Sequence, residues 1–198
     1  MPTGSTYSMA WRSRDEPGLR VAEPTLDEVC VHAGALAGYY NEPTNRALLT
    51  NEQDFDARDV VDQFKGMWAA GDRPFLLYAG ESLVGDCDLR HVEDDRAEFA
   101  ILVGPRATQA KGLGTRFSKM VHLLAFGPLR MSRVYAAVRP ENAGSLRMFE
   151  KLGYEVDQTP EARRYAEAPD DVCVSIGAET FRRLHEATAA VVEIAVRA

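Results

Sequence analysis

Residues 109–115 carry the residue types best suited to hold a phosphate group. Two glycines, Gly112 and Gly114, follow the apolar stretch 97–103, which has the composition of a buried strand. After Gly114, apolar residues recur every three to four positions, the pattern of an amphipathic helix. The glycines therefore stand at a helix N-terminus, where unpaired backbone N–H groups and the helix dipole favour an anion such as a pyrophosphate.

Spacing excludes two common nucleotide-binding loops. A P-loop requires a second glycine five residues after its first, but Gln109 stands there after Gly104, and Lys111 precedes its glycine. A dinucleotide-binding loop requires a third glycine where this chain has Phe117. Two interpretations remain, a Gln-x-x-Gly-x-Gly acyl-CoA loop and a glycine-rich turn that merely connects strand to helix.

A second motif follows another strand-like run at 133–138. Asn142 is suited to cap the N-terminus of a helix, and Gly153 is suited to end it. The apolar stripe of that helix consists of Leu146, Phe149 and Leu152. Together, the two motifs resemble the signatures of the GNAT superfamily of acyl-CoA-dependent N-acyltransferases. The resemblance covers residues 18–177, with the specific motifs confined to 97–155.

The resemblance implies a site for acetyl-CoA. In the family, the backbone of the central strand pairs with the pantetheine arm, here at Leu102 and Val103. The glycine loop wraps the pyrophosphate, and the Asn-led helix lines the arm. The matching residues are Gln109, Ala110, Lys111, Gly112, Leu113, Gly114 and Thr115 for the pyrophosphate, and Asn142 and Phe149 for the arm. A solvated Lys111 without phosphate contact stays an alternative.

The acetyl transfer needs a general base. A thioester is already activated, so the protein has to position a neutral amine and stabilise the oxyanion. An amine with a pKa near about 10 is mostly protonated at neutral pH. Glu98, early in the central strand, is the predicted base because an apolar setting would raise its pKa, and many family members use a strand glutamate here. The alternative is a solvated side chain at the strand entrance.

The departing CoA thiolate needs a proton or a hydrogen bond. Many family members place a tyrosine where this chain has Phe149, so that hydroxyl is missing. Ser145 is the predicted donor, as in the ribosomal-protein N-terminal acetyltransferase branch, and Tyr154 ranks below it because it lies past the helix end. Two alternatives stay open: Ser145 as a capping or packing hydroxyl, and protonation by solvent of a thiolate with a pKa near about 8.5.

Composition predicts a cytoplasmic enzyme without a membrane partner. The chain has 198 residues, of which 45% are hydrophobic, enough for one sizeable core. Its apolar runs are far shorter than the roughly 20 residues of a membrane span, and its N-terminus lacks the apolar core of a signal peptide. The three cysteines and four histidines show no metal-ligand spacing. We predict no metal, buried cysteines, and His122 on the polar side of its helix.

The net charge of −7 argues against nucleic acid as a partner and favours a cationic acceptor. In the family, the first helix pair and the loop before the last strand border the acceptor groove. The acidic residues in these segments are Glu42, Glu52, Asp54, Asp56, Glu161, Glu167, Asp170 and Asp171. They favour a polyamine, an aminoglycoside-like molecule or a basic peptide acetylated at its N-terminus or a lysine. Acidic loops are more often solvated surface, which is the alternative.

The order of predicted elements is typical of an α+β fold with a mixed, largely antiparallel central sheet and flanking helices. Residues 18–177 contain these elements. Residues 1–17 show no period and are predicted to be a flexible leader. Residues 178–198 are predicted to form an additional helix, either a local cap on the core or the contact surface of a homodimer.

We therefore predict an N-acetyltransferase that moves an acetyl group from acetyl-CoA to a primary amine by direct attack in a ternary complex. The alternative is an acyl-CoA-binding sensor or regulatory module without efficient transfer, which the missing tyrosine at Phe149 permits. An enzyme would release CoA with saturation in both substrates, whereas a sensor would change its affinity for a protein partner.

Overall fold

The computed structural model describes residues 5–12, 18–49, 53–105 and 112–197. Nine strands in these ranges form one sheet, flanked by helices. In chain order the strands are β1 (Tyr7–Trp11), β2 (Leu19–Ala22), β3 (Arg73–Ala79), β4 (Ser82–Glu93), β5 (Arg96–Val103), β6 (Arg133–Val138), β7 (Glu155–Val156), β8 (Val172–Gly177) and β9 (Val192–Val196). The helices are α1 (Leu26–Asn41), α2 (Pro43–Leu49), α3 (Ala57–Ala70), α4 (Leu113–Phe126), α5 (Ala143–Leu152), α6 (Pro160–Arg163) and α7 (Ala178–Ala189).

Across the sheet the strands run in the order β7, β8, β6, β5, β4, β3, β2, β1 and β9. Neighbouring strands are antiparallel except β5 and β6, which are parallel. The helix α4 lies between β5 and β6 in the chain, as the crossover of a parallel pair requires. This arrangement confirms the predicted α+β fold with a mixed, largely antiparallel sheet.

The sheet separates two apolar cores, because alternate residues of a strand point to opposite faces. Phe75 and Leu77 of β3 pack with α4 and α7 in one core. Leu76 and Tyr78 of the same strand pack with α1 and α3 in the other. Capping boxes start α1 and α3, each with a side chain that accepts a backbone N–H of the first turn. Both helices thus begin at defined positions over one face of the sheet.

The prediction of a flexible leader is wrong for residues 7–11, which form β1. This strand pairs with β2 on one side and β9 on the other, and its Met9 is buried in the core. The sequence Tyr-Ser-Met-Ala-Trp alternates large apolar and small residues, a strand pattern that is easily missed over five residues. The central sheet therefore extends beyond residue 18 towards the N-terminus.

The predicted C-terminal helix is also too long, because α7 ends at Ala189 and β9 follows it. The β9 sequence Val-Glu-Ile-Ala-Val alternates with a period of two, which fits a strand. On α7, the residues Phe181, His185 and Thr188 are buried, with Phe181 packed in the core shared with α4. Of the apolar stripe that suggested a homodimer contact, Phe181 and Thr188 are buried in the chain's own fold, whereas Leu184 is 51% exposed.

Three further expectations concern the cysteines, membrane-spanning helices and metal sites. Cys87 and Cys173 are buried as predicted, but Cys30 is exposed on α1. None of the helices in the described ranges is both long and apolar enough to cross a bilayer. Within the same ranges, no cluster of three or more His, Cys, Asp or Glu side chains is placed to hold a metal ion.

Candidate active site

The two parallel strands β5 and β6 separate at Glu98. Their ladder joins Arg96 to Arg133, Ala97 to Val134 and Glu98 to Tyr135. On its other side, β5 stays paired with β4 as far as Val103, which lies opposite Gly85. Among the described residues, no strand pairs with the β6-facing edge of β5 beyond Glu98. Within the described residues, the sheet is therefore open beside Leu102, as pairing with an extended pantetheine requires.

Gly85 allows β4 and β5 to approach closely at this opening. Its φ of 153° is disfavoured for other residues, and a Cβ at this position would collide with the carbonyl oxygen of Leu102. A side chain there would force β5 away from β4, towards the gap. Gly85 therefore helps to fix the position of the strand that borders the opening.

The helix α4 begins close to the end of β5. Its N-cap, Gly112, has a φ of 74°, in the left-handed region that favours glycine. A Cβ on Gly114 would lie 3.3 Å from Met148 Sδ of α5 and 3.9 Å from Val103 Cγ2, so the first turn packs closely against both elements. A helix N-terminus at this place, with N–H groups that lack helical partners, fits a pyrophosphate.

The predicted pyrophosphate residues are only partly described. Four predicted residues lie outside the described ranges: Gln109, Ala110 and Lys111 of this loop, and Glu52 of the acceptor border. Within the described part, Leu113 is buried in the core, so its side chain faces away and its backbone N–H is the group that could contact an anion. Thr115 is half-buried in the first turn of α4.

A cleft of about 330 Å³ lies over the point where β5 and β6 separate, within the usual range for small-ligand sites. It is bounded by β4, β5, the end of β6, the start of α5, and side chains from α1, α2 and α3. The cleft brings together five of the predicted site residues: Glu98, Leu102, Asn142, Ser145 and Phe149.

Glu98 is not a solvated residue at a strand entrance, since it is only 2% exposed. Its Oε2 lies 3.0 Å from Nδ1 of His91 and 3.1 Å from Nε of Arg90. Burial raises the pKa of Glu98 above its usual value, and the charges of Arg90 and His91 offset part of that rise. A carboxyl group with a raised pKa that faces a cleft is suited to accept a proton near neutral pH.

Two more carboxyl groups from β4 line the same cleft. Asp86 is 8% exposed and accepts a hydrogen bond of 2.7 Å from the Tyr40 hydroxyl through Oδ2. The side chain of Asp88 is 15% exposed and lies 3.6 Å from Arg90 Nε. In both residues, Oδ1 is buried without a hydrogen bond. Burial raises the pKa of each carboxyl group to about 7.

The start of α5 reaches the cleft through its capping residue. Asn142 accepts the backbone N–H of Ser145 through Oδ1, at 3.0 Å, which fixes the first turn of the helix. Within the described part of the chain, the Ser145 hydroxyl has no hydrogen-bond partner, so it is available to a ligand. Phe149 is buried with its ring at the cleft wall.

Comparison with known proteins agrees with this geometry. Residues 25–155 match the sequence profile of the Acetyltransferase (GNAT) domain. The spermidine N(1)-acetyltransferase of Escherichia coli strain K12 is 36% identical over 156 residues, which cover 77% of this chain and 76% of that protein. The chain belongs to the GNAT family. It is an acetyl-CoA-dependent N-acetyltransferase, which confirms the predicted enzyme class and donor.

Solved structures share the GNAT fold at low sequence identity. Mycobacterium smegmatis RimJ in complex with CoA-disulfide has a TM-score of 0.71 at 18% identity, covering 94% of this chain and 96% of that one. The spermidine N-acetyltransferase of Vibrio cholerae, in complex with CoA and spermine, has a TM-score of 0.66 at 15% identity, covering 82% and 97%. The likeness extends over nearly the whole of both structures.

His122 of this GNAT enzyme lies in the core, and its predicted place on the polar side of α4 is wrong. One ring nitrogen lies 2.6 Å from the carbonyl oxygen of Ser118, and the other lies 2.6 Å from the Tyr154 hydroxyl. Burial lowers the pKa of His122 to about 4, so the ring is neutral and accepts the tyrosine proton. The Tyr154 hydroxyl is thus already engaged, which agrees with its lower rank as a proton donor.

Of the five carboxyl groups that line the cleft, the sequence analysis missed two, those of Asp86 and Asp88. Glu42 and Asp56 accept backbone N–H groups at the starts of α2 and α3, and Glu161 pairs with arginines. Of the described residues predicted to border the acceptor groove, Glu167 and Asp171 line the cleft. The signal for the missed pair was the sequence Asp-Cys-Asp-Leu-Arg, which places polar residues at alternate positions of a central strand.

Proposed function

We propose that this GNAT enzyme acetylates a primary amine of a small, multiply charged cation of the polyamine type, by direct attack on acetyl-CoA in a ternary complex. The observation that carries the proposal is the set of buried carboxyl groups that faces the cleft where β5 and β6 separate. The curated relative at 36% identity, a spermidine N(1)-acetyltransferase, supports the same class of acceptor.

The charge of the cleft favours a cation over a neutral or anionic acceptor. Its carboxyl groups belong to Asp86, Asp88, Glu98, Glu167 and Asp171, and its guanidinium groups to Arg90 and Arg139. Acidic groups therefore outnumber basic groups by five to two in the lining. A cation lowers the free energy of the ionised carboxylates, which burial otherwise disfavours.

Glu98 is the general base in this proposal. Acetyl-CoA supplies the activated acyl group: the amine nitrogen bonds to its carbonyl carbon, the carbon–sulfur bond breaks, and CoA leaves as a thiolate. Glu98 accepts the proton that the amine loses. Since Glu98 is buried, the proton needs a route to water, and His91 offers one because it contacts Glu98 while its side chain is 63% exposed.

Ser145 is the proposed hydrogen-bond donor to the thiolate. It lines the cleft near the start of α5, its backbone is held by the Asn142 cap, and Phe149 leaves no other hydroxyl at the position that many relatives fill with tyrosine. Leu102 and Val103 are proposed to pair with the pantetheine, while Gly112, Leu113, Gly114 and Thr115 bind the pyrophosphate. Asn142 and Phe149 line the arm.

Aminoglycosides and basic peptides are other cationic acceptors, and a screen of amines separates them from polyamines. A homodimer also stays a prediction: Phe181 and Thr188 of α7 pack within the chain's own fold, whereas Leu184 is exposed. Light scattering of the full chain measures the oligomeric state directly.

The decisive experiment measures CoA release by the wild type and by Glu98→Gln with a panel of polyamines, aminoglycosides and peptides. We expect release with polyamines, saturation in both substrates, and intersecting initial-rate patterns. Glu98→Gln should lower kcat by about 10²- to 10⁴-fold with little change in the acetyl-CoA KM. Glu81→Gln, in the exposed β3–β4 turn, is the matched control and should behave as wild type.

Three outcomes would contradict the proposal. Wild-type turnover by Glu98→Gln would remove Glu98 as the base. Parallel initial-rate lines would replace direct attack by a covalent enzyme intermediate. Binding of acetyl-CoA without release by any amine would favour the sensor alternative.

A further inference from the structure

We propose that Asp86 and Asp88 form a subsite for the second ammonium group of a di- or polyamine, so that the enzyme selects acceptors carrying a distal positive charge. The inference rests on the proposed function, since it concerns the acceptor of the same cleft. Asp86 and Asp88 would bind the part of the acceptor that does not react, a role separate from the acetyl transfer itself.

The geometry of the β4–β5 ladder places the carboxyl groups in a row. Asp86 lies opposite Leu102, Asp88 opposite Ala100, and Arg90 opposite Glu98. Directly opposed residues share a sheet face, so Glu98, Asp88 and Asp86 all face the side covered by α1 and α3. Asp86 and Asp88 are two residues apart along β4, about 7 Å, and Asp88 is the diagonal neighbour of Glu98 across the ladder, at about 7–8 Å.

This spacing matches the separation of charges in a short polyamine. An extended chain of four methylenes separates its two nitrogens by about 6 Å, given bond lengths near 1.5 Å. An acceptor whose reacting nitrogen lies beside Glu98 therefore brings its second nitrogen to Asp88, and a third to Asp86. The apolar side chains of Phe55 and Leu102 line the same cleft and can contact the methylenes between the nitrogens.

The hydrogen bonds of the row are incomplete without a cation. Asp86 is more than nine-tenths buried, yet its Oδ1 has no hydrogen bond, while Tyr40 donates to Oδ2. Oδ1 of Asp88 also lacks one. A buried polar atom without a partner costs free energy, and an ammonium group, with its N–H donors, would satisfy both oxygens.

Arg90 does not meet this need by itself. Its Nε lies 3.6 Å from Asp88 and 3.1 Å from Glu98, but it makes no hydrogen bond through that atom. One guanidinium group therefore faces three carboxyl groups, those of Asp88, Glu98 and Glu167, and leaves Asp86 beyond its ion pairs. The other arginine of the cleft, Arg139, lies 3.8 Å from Asp171.

The raised pKa values of Asp86 and Asp88 support their assignment as a cation subsite. Burial raises the pKa of both carboxyl groups to about 7, and the groups that face them are Tyr40, Asp72, Arg90 and Glu98. At pH 7 the pair is therefore partly protonated without ligand. A cation favours the ionised forms, so its binding should release protons.

The test compares 1,4-diaminobutane with 1-aminobutane as acceptors, using kcat/KM at pH 7.5. The wild type should prefer the diamine by about ten- to hundredfold, the range expected for a charged hydrogen bond. The double variant Asp86→Asn, Asp88→Asn should lower that ratio to near one. Asp94→Asn is the control, because Asp94 lies in the exposed β4–β5 turn at a positive φ that asparagine tolerates. It should keep the wild-type ratio.

Calorimetry provides a second measurement that is independent of turnover. Titration of 1,4-diaminobutane into the enzyme–CoA complex at pH 7, in two buffers of different ionisation enthalpy, should show proton release by the wild type and none by the double variant. If the double variant does not fold, the single variant Asp88→Asn takes its place, with a partial loss of both effects.

Each other outcome overturns a defined part of the argument. Equal use of both amines by the wild type, or an equal fall of both rates in the double variant, would remove the subsite while leaving the acetyltransferase proposal intact. If the wild type acetylates neither amine, the proposed acceptor class fails. In that case calorimetry tests whether the subsite exists. Binding of the diamine without proton release, or no binding at all, would overturn the subsite proposal.

Discussion

Both faces of β4 exclude most solvent, but the residues buried on them differ in chemistry. On one face, Cys87 and Leu89 pack with α4 in the larger core. On the other face, Asp86 and Asp88 lie beneath α1 and face the cleft. Apolar burial on the first face stabilises the fold. Burial of carboxyl groups on the second costs stability, and a cationic acceptor would recover it.

Desolvation acts on titratable groups of both faces, but the outcomes differ. It lowers the pKa of His122 to about 4 and raises the pKa of Asp86 to about 7, so each group is pushed towards its neutral form. Both ring nitrogens of His122 have partners within the fold, whereas Oδ1 of Asp86 has none. The core face is therefore complete without a ligand, and the cleft face is not.

The largest effect on stability should come from substituting neighbouring residues on the two faces of β4. Leu89→Ala leaves a cavity in the core and should lower the free energy of unfolding by about 2–5 kcal/mol. Asp88→Asn keeps the shape and removes a buried charge, so the loss should stay below about 1 kcal/mol at pH 8. Urea unfolding of both variants measures the difference. Equal losses would show that the faces do not differ as described.

A smaller effect should appear in the pH dependence of stability. The folded-state pKa values of Asp86 and Asp88, about 7, exceed the ordinary value of 3.8. Folding therefore favours the neutral forms, and this stabilisation is fully present below about pH 4 and lost as pH rises through about 7. Relative to Asp86→Asn, Asp88→Asn, the wild type should lose more than about 1 kcal/mol between pH 5 and pH 8.

Unfolding curves of the wild type and the double variant at several pH values measure this difference. Glu98 also has a raised pKa and shifts both proteins in the same direction, so the comparison leaves only the change that its coupling to Asp88 adds. A constant difference across the pH range would mean that the two carboxyl groups are ionised in the folded state without ligand.

A third effect concerns the polar pair inside the core. Tyr154→Phe leaves the His122 nitrogen without a donor and should cost about 1–3 kcal/mol of stability. Because that hydroxyl serves the core, kcat should change less than in Ser145→Ala. Thermal unfolding and steady-state kinetics of the two variants test both statements. A larger fall of kcat in Tyr154→Phe would exchange the proposed roles of Ser145 and Tyr154.

The parts of the site that could be predicted from the sequence are those set by local patterns. Gly112 at a helix start, Asn142 as a cap and Glu98 in a central strand follow from the neighbours of each residue in the chain. The resemblance to a known family supplied their proposed roles. The central sheet and its parallel pair follow from the order of strands and helices.

What could not be predicted depends on contacts between distant segments. The pairing of β1 with β9 joins residues about 185 positions apart, which no local window detects. The alternating charged residues of β4 are typical of an exposed strand face, and the sequence does not show that α1 covers them. The sequence of α4 likewise does not show that Ser118 and Tyr154 provide hydrogen-bond partners for a buried His122. In each case, contacts between residues far apart in the sequence determine which side chains are buried.

Gly85 has an evolutionary consequence. Gly85 lies directly before Asp86 and three residues before Asp88. Of these three residues, Gly85 is the one whose replacement is restricted sterically, because any side chain there would collide with Leu102. Homologues that diverge towards other acceptors should therefore exchange the charges at positions 86 and 88 freely while retaining glycine at 85. Substrate preference and strand geometry would then vary independently within the four residues 85–88.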